Sequence, residues 1–488
     1  MAAPKPSFLR EYNALHAQSR KDRRMISKKE FDRIIETQRE PMLETLRGWI
    51  KIPSLKQDAQ PNAPFGPALR KMLDVTLKDC QSLGFEVRDY DGYAGDAKMG
   101  EGSDEDALAI LAHVDIVPAG DGWTRDPFGA QMEDGVLYGR GACDDKGPLA
   151  AALYAMKAVK DAGIPLKRKV TLIYGCDEES GMEDMKYYKR VATMPRTGFS
   201  PDGSYPVINL EKGMCGLFLY ADAPKDGLKI LELNVGERQN VIPGAASALV
   251  AGGPEMQGQV DAISKQYGWP VKAVTENGAV RIIATGINGH AAHPETARNA
   301  IGQLLITLRD LGAAGAVKVL ADAVGTQYYG EGLGIASRDQ ASGPLTCNLG
   351  IIRLEKGRLF ATLDIRYPLM VAGDRIRDVA AAHLPGIEVE QKFFKLPHYV
   401  PASSELVRGL LDAYHEVTGL EKKALSTGGG TYARMLEMGV AFGASFPGDP
   451  DMAHQADERI SVDSLMKSLK IFAYAIVKLA GAEGGLHE

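Results

Sequence analysis

Cysteine is scarce in this chain. Cys80, Cys143, Cys176, Cys215 and Cys347 are the five in 488 residues, and they form no CxxC pair. Such spacing suits neither a disulfide framework nor a cysteine zinc knuckle, so the thiols read as reduced and the compartment as the cytoplasm. No run approaches the roughly 20 apolar residues that a membrane helix needs. The opening segment MAAPKPSFLREYNALHAQSRKDRRMI lacks the continuous apolar stretch of a secretory signal. An excess of basic charge is missing too. The chain has 57 Lys and Arg against 63 Asp and Glu, a net charge of −6, which argues against a nucleic-acid partner. No GxSxG elbow, P-loop or strand-following GxGxxG occurs, which weakens the serine-hydrolase and nucleotide-binding classes. The run Gly428-Gly429-Gly430-Thr431 lacks the downstream lysine of a phosphate loop.

What is present is an ordinary globular composition, 45% apolar and 25% charged, in a chain too long for a single core. Apolar residues recur at helical spacing over 29–49, on either side of Pro41, and again over 67–84. The run 107–112 (ALAILA) is wholly apolar, as a strand buried on both faces of a parallel sheet would be. A helix follows over 145–162, then a second buried strand over 170–174, an acidic turn and a helix to 191. Strand alternating with helix predicts an α/β domain whose central sheet is mostly parallel and flanked by helices. From about 213 the texture changes. Strands over 229–235, 281–285 and 358–366 and a helix over 299–311 suggest an inserted α+β domain with antiparallel strands. Beyond 401 a helix over 405–418, a strand over 440–445 and a helix over 462–479 resume the first pattern. The expected division is 1–212 and 399–488 for the α/β domain and 213–398 for the insert.

Sheets of this kind keep their reactive groups at the C-terminal ends of parallel strands. His113 and Asp115 follow the first buried strand and, two residues apart on extended chain, project together. That pairing suits a metal-binding imidazole with a carboxylate to orient it. Asp144 and Asp145 lie in GRGACDDKG, where one carboxylate, with Asp145 the candidate, caps the next helix and leaves the other for a metal. Asp177, Glu178 and Glu179 end the second strand, and three adjacent carboxylates repel unless a cation or water compensates. Asp202 in SPDG and His454 in DMAHQADE are unremarkable alone. Each cluster singly admits a bland reading as a cap, a solvated turn or a packed side chain. Together they offer the imidazole and carboxylate set that zinc or manganese prefers. Cys143 and Cys176, beside these clusters, read as small packing residues.

The order HVD, GRGACDDKGP, DEESG, SPDG and a late His resembles the dinuclear metallopeptidases that include carnosinases, aminoacylases and desuccinylases. Within them, HVDIVPAGDGW, FSPDGSYPVINLEKG, GGGTYAR and DMAHQADE are most similar to the PepV-type bacterial dipeptidases. The resemblance runs across nearly the whole chain and implies a set of roles. His113 and Asp202 would hold one divalent ion and Glu179 and His454 a second, with Asp144 bridging. Zinc is the first choice, with manganese or cobalt as alternatives. Asp115 would orient His113, and Glu178 would be the general base. A cis peptide would join Asp144 to Asp145. The inserted domain would be a lid, with Asn240, His290 and Arg366 reaching the substrate and His293 a nearby competitor for the role of His290. Gly429, Gly430 and Thr431 would line the pocket from the catalytic domain. The implied enzyme is a monomeric cytoplasmic dipeptidase acting on small peptides, with no nucleic-acid or membrane partner. Its rivals are an N-acyl amino acid deacylase on the same scaffold, an inactive binding protein and a single-metal or metal-free structural protein.

Overall fold

The computed structural model describes residues 26–483 and 485–487. The opening segment read above, up to residue 25, lies outside them. The described residues fall into two compact units: those of 26–209, 400–425 and 431–487 form one, and 210–399 with 426–430 the other.

In the first unit the sheet order is Glu86–Tyr90, Ala94–Met99, Val170–Gly175, Leu108–His113, Thr197–Ser200, Met438–Ala441 and then Val207–Glu211, in which the chain leaves the unit. The four strands from Val170–Gly175 to Met438–Ala441 run parallel. The edges are antiparallel, so the sheet expected to be mostly parallel has a parallel centre with reversed flanks. Both central strands Leu108–His113 and Val170–Gly175 are buried along their whole length, which is why their sequences are continuous apolar runs and do not alternate. Helix Lys146–Asp161 is buried nearly all round and packs against Val462–Ala480. Each Leu or Ile so buried contributes about 1.5–3 kcal/mol. The hydroxyls of Ser404 and Ser461 cap the helices Glu405–Thr418 and Val462–Ala480.

Several expected boundaries shift for local reasons. The helix expected over 29–49 is two, Lys28–Thr37 and Arg39–Ile50, parted at Gln38, so Pro41 falls in the first turn of the second, where its missing N–H does no harm. The strand expected over 440–445 is two short pieces, Met438–Ala441 and Ala444–Ser445. Asp145 stands at the N-cap of Lys146–Asp161 but makes no side-chain cap; its carboxylate accepts from the His113 amide at 3.2 Å instead.

The second unit is built on an eight-stranded sheet, ordered Val271–Glu276, Ala279–Thr285, Ala245–Ala251, Ile230–Val235, Thr346–Glu355, Arg358–Tyr367, Gly213–Asp222 and Glu388–Lys395. All its neighbouring pairs are antiparallel. Leu359, Ala361, Leu363 and Ile365 face the core, as the alternation in their strand requires. Helix Ala300–Asp310 is capped by the Asn299 side chain, which accepts from the Ile301 and Gly302 amides and donates to Asn348 and the Leu349 carbonyl. Among the described residues, no helix is long and apolar enough to cross a membrane.

Candidate metal centre

The centre is assembled at the C-terminal ends of the parallel strands in the first unit. His113 is the last residue of its strand and fully buried. Its Nδ1 faces the Asp115 main-chain oxygen at 3.0 Å and the Asp115 carboxylate at 3.3 Å. Its Nε2 lies 3.0 Å from Asp144 Oδ1 and 3.8 Å from Asp202 Oδ2. On the other side, His454 Nε2 lies 3.1 Å from Asp144 Oδ2 and 2.9 Å from Glu179 Oε1. The two oxygens of Asp144 therefore face two different imidazoles. Two groups that could each hold a cation result, His113–Asp144–Asp202 and Asp144–Glu179–His454, and Asp144 belongs to both. The Asp144–Asp145 peptide is cis.

Two of the three adjacent carboxylates of the acidic turn, Asp177 and Glu179, turn to different partners. Asp177 accepts from Lys56 Nζ at 2.6 Å and from the Glu183 amide at 3.1 Å. Glu179 faces His454. The Asp115 carboxylate accepts from the amides of Glu178 and Glu179 at 3.2 and 3.1 Å, so it sets the turn as well as the imidazole.

Burial is the largest influence on Asp144, Glu178, Glu179 and Asp202. It pushes Glu178 well above the usual carboxylate range, helped by the charge of Asp202. It raises Asp202 to about 7 and also lifts Glu179, both with help from Asp144. Burial opposes the charge on Asp144 too, but the two imidazoles hold that group below the ordinary range. Burial likewise disfavours charged His454, yet Asp144 and Glu179 raise it to about 10. The pattern is that of packed negative charge short of positive charge, and nitrogen and oxygen donors in this number suit divalent cations.

Side chains that sequence patterning passes over hold the ligand segments. Asp184, fully buried, accepts from the Cys176 and Asp177 amides at 2.6 and 2.8 Å and from the Tyr432 hydroxyl. Burial and Asp115 raise its carboxyl to about 7. Glu458, also fully buried, pairs with Arg140. Neither has a local motif; the one available signal for Glu458 is its place four residues after His454. Cys143 packs with its Sγ 3.4 Å from Glu458 Oε1, and burial with that charge keeps it a thiol. Beside Asp144 and Asp202 a cavity of about 440 Å³ opens, lined also by Phe446, Met452 and Arg459.

Other expected site residues belong to the second unit. Val241 pairs with His290, and the Asn240 carbonyl accepts from the Ala291 amide at 2.9 Å, so Asn240 and His290 lie close together on two paired strands. His290 Nδ1 accepts from the Ala292 amide at 3.3 Å, which places the proton of a neutral ring on Nε2. His293 is turned to Glu295 at 3.3 Å. Arg366 is almost fully buried; its guanidinium forks onto Asp364 at 2.5 and 2.8 Å and donates to the Gly428 carbonyl at 3.0 Å. Gly429 and Gly430 fall in this unit, contrary to their expected place on the catalytic domain. They follow Gly428, which the Arg366 bond keeps with the second sheet. Thr431 falls in the first unit, where its hydroxyl caps the short helix Tyr432–Met435.

A sequence profile of peptidase family M20/M25/M40 matches residues 109–478. The YtjP protein of Bacillus subtilis (strain 168), provisionally named a dipeptidase, is 37% identical over 91% of this chain and 98% of its own length. The Beta-Ala-Xaa dipeptidase of Lactobacillus delbrueckii subsp. lactis is 33% identical over 93% of this chain and 99% of its own length. Among solved structures, human carnosine dipeptidase 1 aligns with a TM-score of 0.56 at 16% identity, over 92% of this chain and 98% of that one. The dipeptidase Dug1p of Saccharomyces cerevisiae aligns with a TM-score of 0.57 at 14% identity and the same coverage. These two likenesses concern the fold.

Proposed function

The chain belongs to peptidase family M20/M25/M40, and we propose that it is a dipeptidase using two metal ions, with zinc first and manganese or cobalt as alternatives. The observation that carries this reading is Asp144, with one carboxylate oxygen toward each of two imidazoles. His113 and Asp202 would hold one ion, Glu179 and His454 the other, and Asp144 both. When bound, such ions lower the pKa of a water and polarise a carbonyl.

The remaining work falls to the chain. Glu178 is the general base. A carboxylate that burial and Asp202 push upward is matched to taking a proton near neutral pH and returning it to the leaving amine. Asp115 holds His113 by Nδ1 and leaves Nε2 for ligation. From the second unit, His290 is the proposed donor to the oxyanion through Nε2–H. Asn240, next to the strand paired with that of His290, is assigned to the substrate. Arg366, braced by Asp364, is assigned to the substrate carboxylate. Gly429, Gly430 and Thr431 are assigned to the pocket wall. The enzyme acts as a monomer in the cytoplasm.

The test is a panel of dipeptides, including β-alanyl and D-residue peptides, set beside N-acyl amino acids, with zinc, manganese and cobalt supplied in turn. Dipeptides should be cleaved with the larger kcat/KM. Faster hydrolysis of N-acyl amino acids would replace the dipeptidase with a deacylase.

A further inference from the structure

A buried ion pair stabilises a fold little more than a well-packed apolar pair, so Arg140 and Glu458 call for another reason to be there. Both are about 1% exposed, and Arg140 Nη1 donates to Glu458 Oε2 at 2.6 Å. The other oxygen, Oε1, accepts from the amides of Cys143 at 3.0 Å and Asp144 at 3.3 Å. The Gly141 amide also bonds to this carboxylate. The Glu458 main-chain oxygen takes the Gly139 amide at 2.9 Å. The amides of Gly141, Cys143 and Asp144 thus turn to one carboxylate, and that of Gly139 to the main chain of the same residue, a partial nest of N–H groups around an anion. Gly141 makes the curl with a φ of 86°, and a Cβ there would stand 3.1 Å from both Ile116 and Lys146. That accounts for a glycine in GRGACDD.

Arg140 reaches the other way. Its Nη2 donates to the carbonyls of Pro118 at 3.3 Å and Ala119 at 3.1 Å, and its guanidinium lies 5.3 Å from the Trp123 ring centre. Three segments that carry ligands, 113–119, 139–144 and 454–458, therefore meet in one clasp.

The clasp does not bear equally on the two metal groups. His113 ends a central strand, so the sheet itself places it. His454 sits in a loop with a left-handed backbone, φ 63°, and its side chain is 45% exposed. Four residues on, Glu458 is the buried anchor of that loop. Glu458 also grips the main chain of Asp144 and not its carboxylate, so both Asp144 oxygens keep their directions toward the imidazoles.

We propose that the Arg140–Glu458 clasp is a positioning device for the Asp144–Glu179–His454 group, setting the affinity of that group for its metal ion by fixing the His454 loop against the main chain of Asp144. The inference rests on the two-ion reading given above. Neither residue touches substrate in this account; both act through Asp144 and His454.

The experiment strips the full-length wild type and Glu458→Gln of metal. It then titrates each with zinc ions by calorimetry, counts bound ions by elemental analysis, and records melting curves of the metal-free forms. Wild type should take two ions. A wild type that takes fewer ends the two-ion reading, and this inference with it, before any variant is compared. Glu458→Gln should fold and bind one ion as wild type does. The other should bind about 10–100-fold more weakly, the usual effect of removing a residue that orients a ligand. Turnover should return as zinc is raised, because the defect lies in occupancy. A folded Glu458→Gln that binds both ions with wild-type affinity overturns the proposal, and so does equal weakening of both. If Glu458→Gln fails to fold, Arg140→Lys keeps the charge, loses the forked reach to Pro118 and Ala119, and is judged by the same two outcomes. If neither folds, the pair serves the fold as a whole and the proposal is wrong.

Discussion

The two candidate metal groups share Asp144 and differ in almost everything else. His113 is fully buried at the end of a strand whose neighbours run parallel on both sides. His454 is an exposed loop residue more than 300 positions later in the sequence. One group is placed by the sheet, and the other is tied into place by side chains that grip backbone. Ligands of the first kind are difficult to remove without harm to the fold. Ligands of the second kind can be lost while the fold stands.

The largest effect should come from the residue that erases the difference. Asp144→Asn removes the shared ligand, so both ions should be lost. Bound metal is worth several kcal/mol to such a reaction, so turnover should fall by at least about 10³-fold. Elemental analysis beside the assay decides it, and a variant that retains one ion at full affinity would show the groups to be independent. Next comes Glu178→Gln, which should keep both ions and lose about 10²–10⁴-fold in kcat. Full turnover with both ions in place would remove Glu178 from the base role.

The contrast itself is tested by His113→Ala against His454→Ala, each melted without metal. His113→Ala leaves a buried space and unpaired polar groups, and should destabilise the metal-free protein by about 2–4 kcal/mol. His454→Ala should change it by no more than about 0.5 kcal/mol. The reverse order would break the comparison.

A smaller effect concerns pH. In the metal-free protein His454 is raised to about 10, so its pairing with Asp144 and Glu179 is fully present below the unfolded value near 6.5 and is lost as pH rises through 10. Asp202, raised to about 7, favours the folded state most below the unfolded carboxylate value and loses that contribution as pH rises through 7. Metal-free melting temperatures should therefore fall from pH 6 to 8.5. Ligation displaces the His454 proton, so zinc affinity should rise about tenfold per pH unit for each proton released. The gap between metal-free and metal-loaded melting curves should widen over the same range. The smallest change should follow Lys56→Ala. That half-exposed partner of Asp177 contributes under about 1 kcal/mol, and zinc affinity should move by less than about threefold.

The same division explains what the sequence made legible. The buried parallel strands announce themselves as unbroken apolar runs, and the polar residues that follow them, His113 and the acidic turn, are conspicuous for that reason. Asp202 and His454 sit in ordinary turns, and only the order of motifs along the chain singled them out. Glu458 showed only as the last residue of DMAHQADE, four places after His454, and Asp184 had no signal of its own. A side chain that accepts from main-chain amides constrains neither the identity nor the spacing of its partners, and the bond from Glu458 to the Cys143 amide spans 315 residues. The antiparallel edges of the sheet escaped notice for a related reason, since pairing direction is set by how the chain returns and not by the composition of a strand.

One consequence of the clasp concerns synthesis. A growing chain exposes His113, Asp144, Glu179 and Asp202 while more than 200 residues are still to be added before His454 and Glu458. Until those residues arrive, a nascent chain has ligands for one cation and half a seat for a second. On the two-ion reading proposed above, the second cation gains its full set of ligands once the segment carrying His454 and Glu458 has been translated.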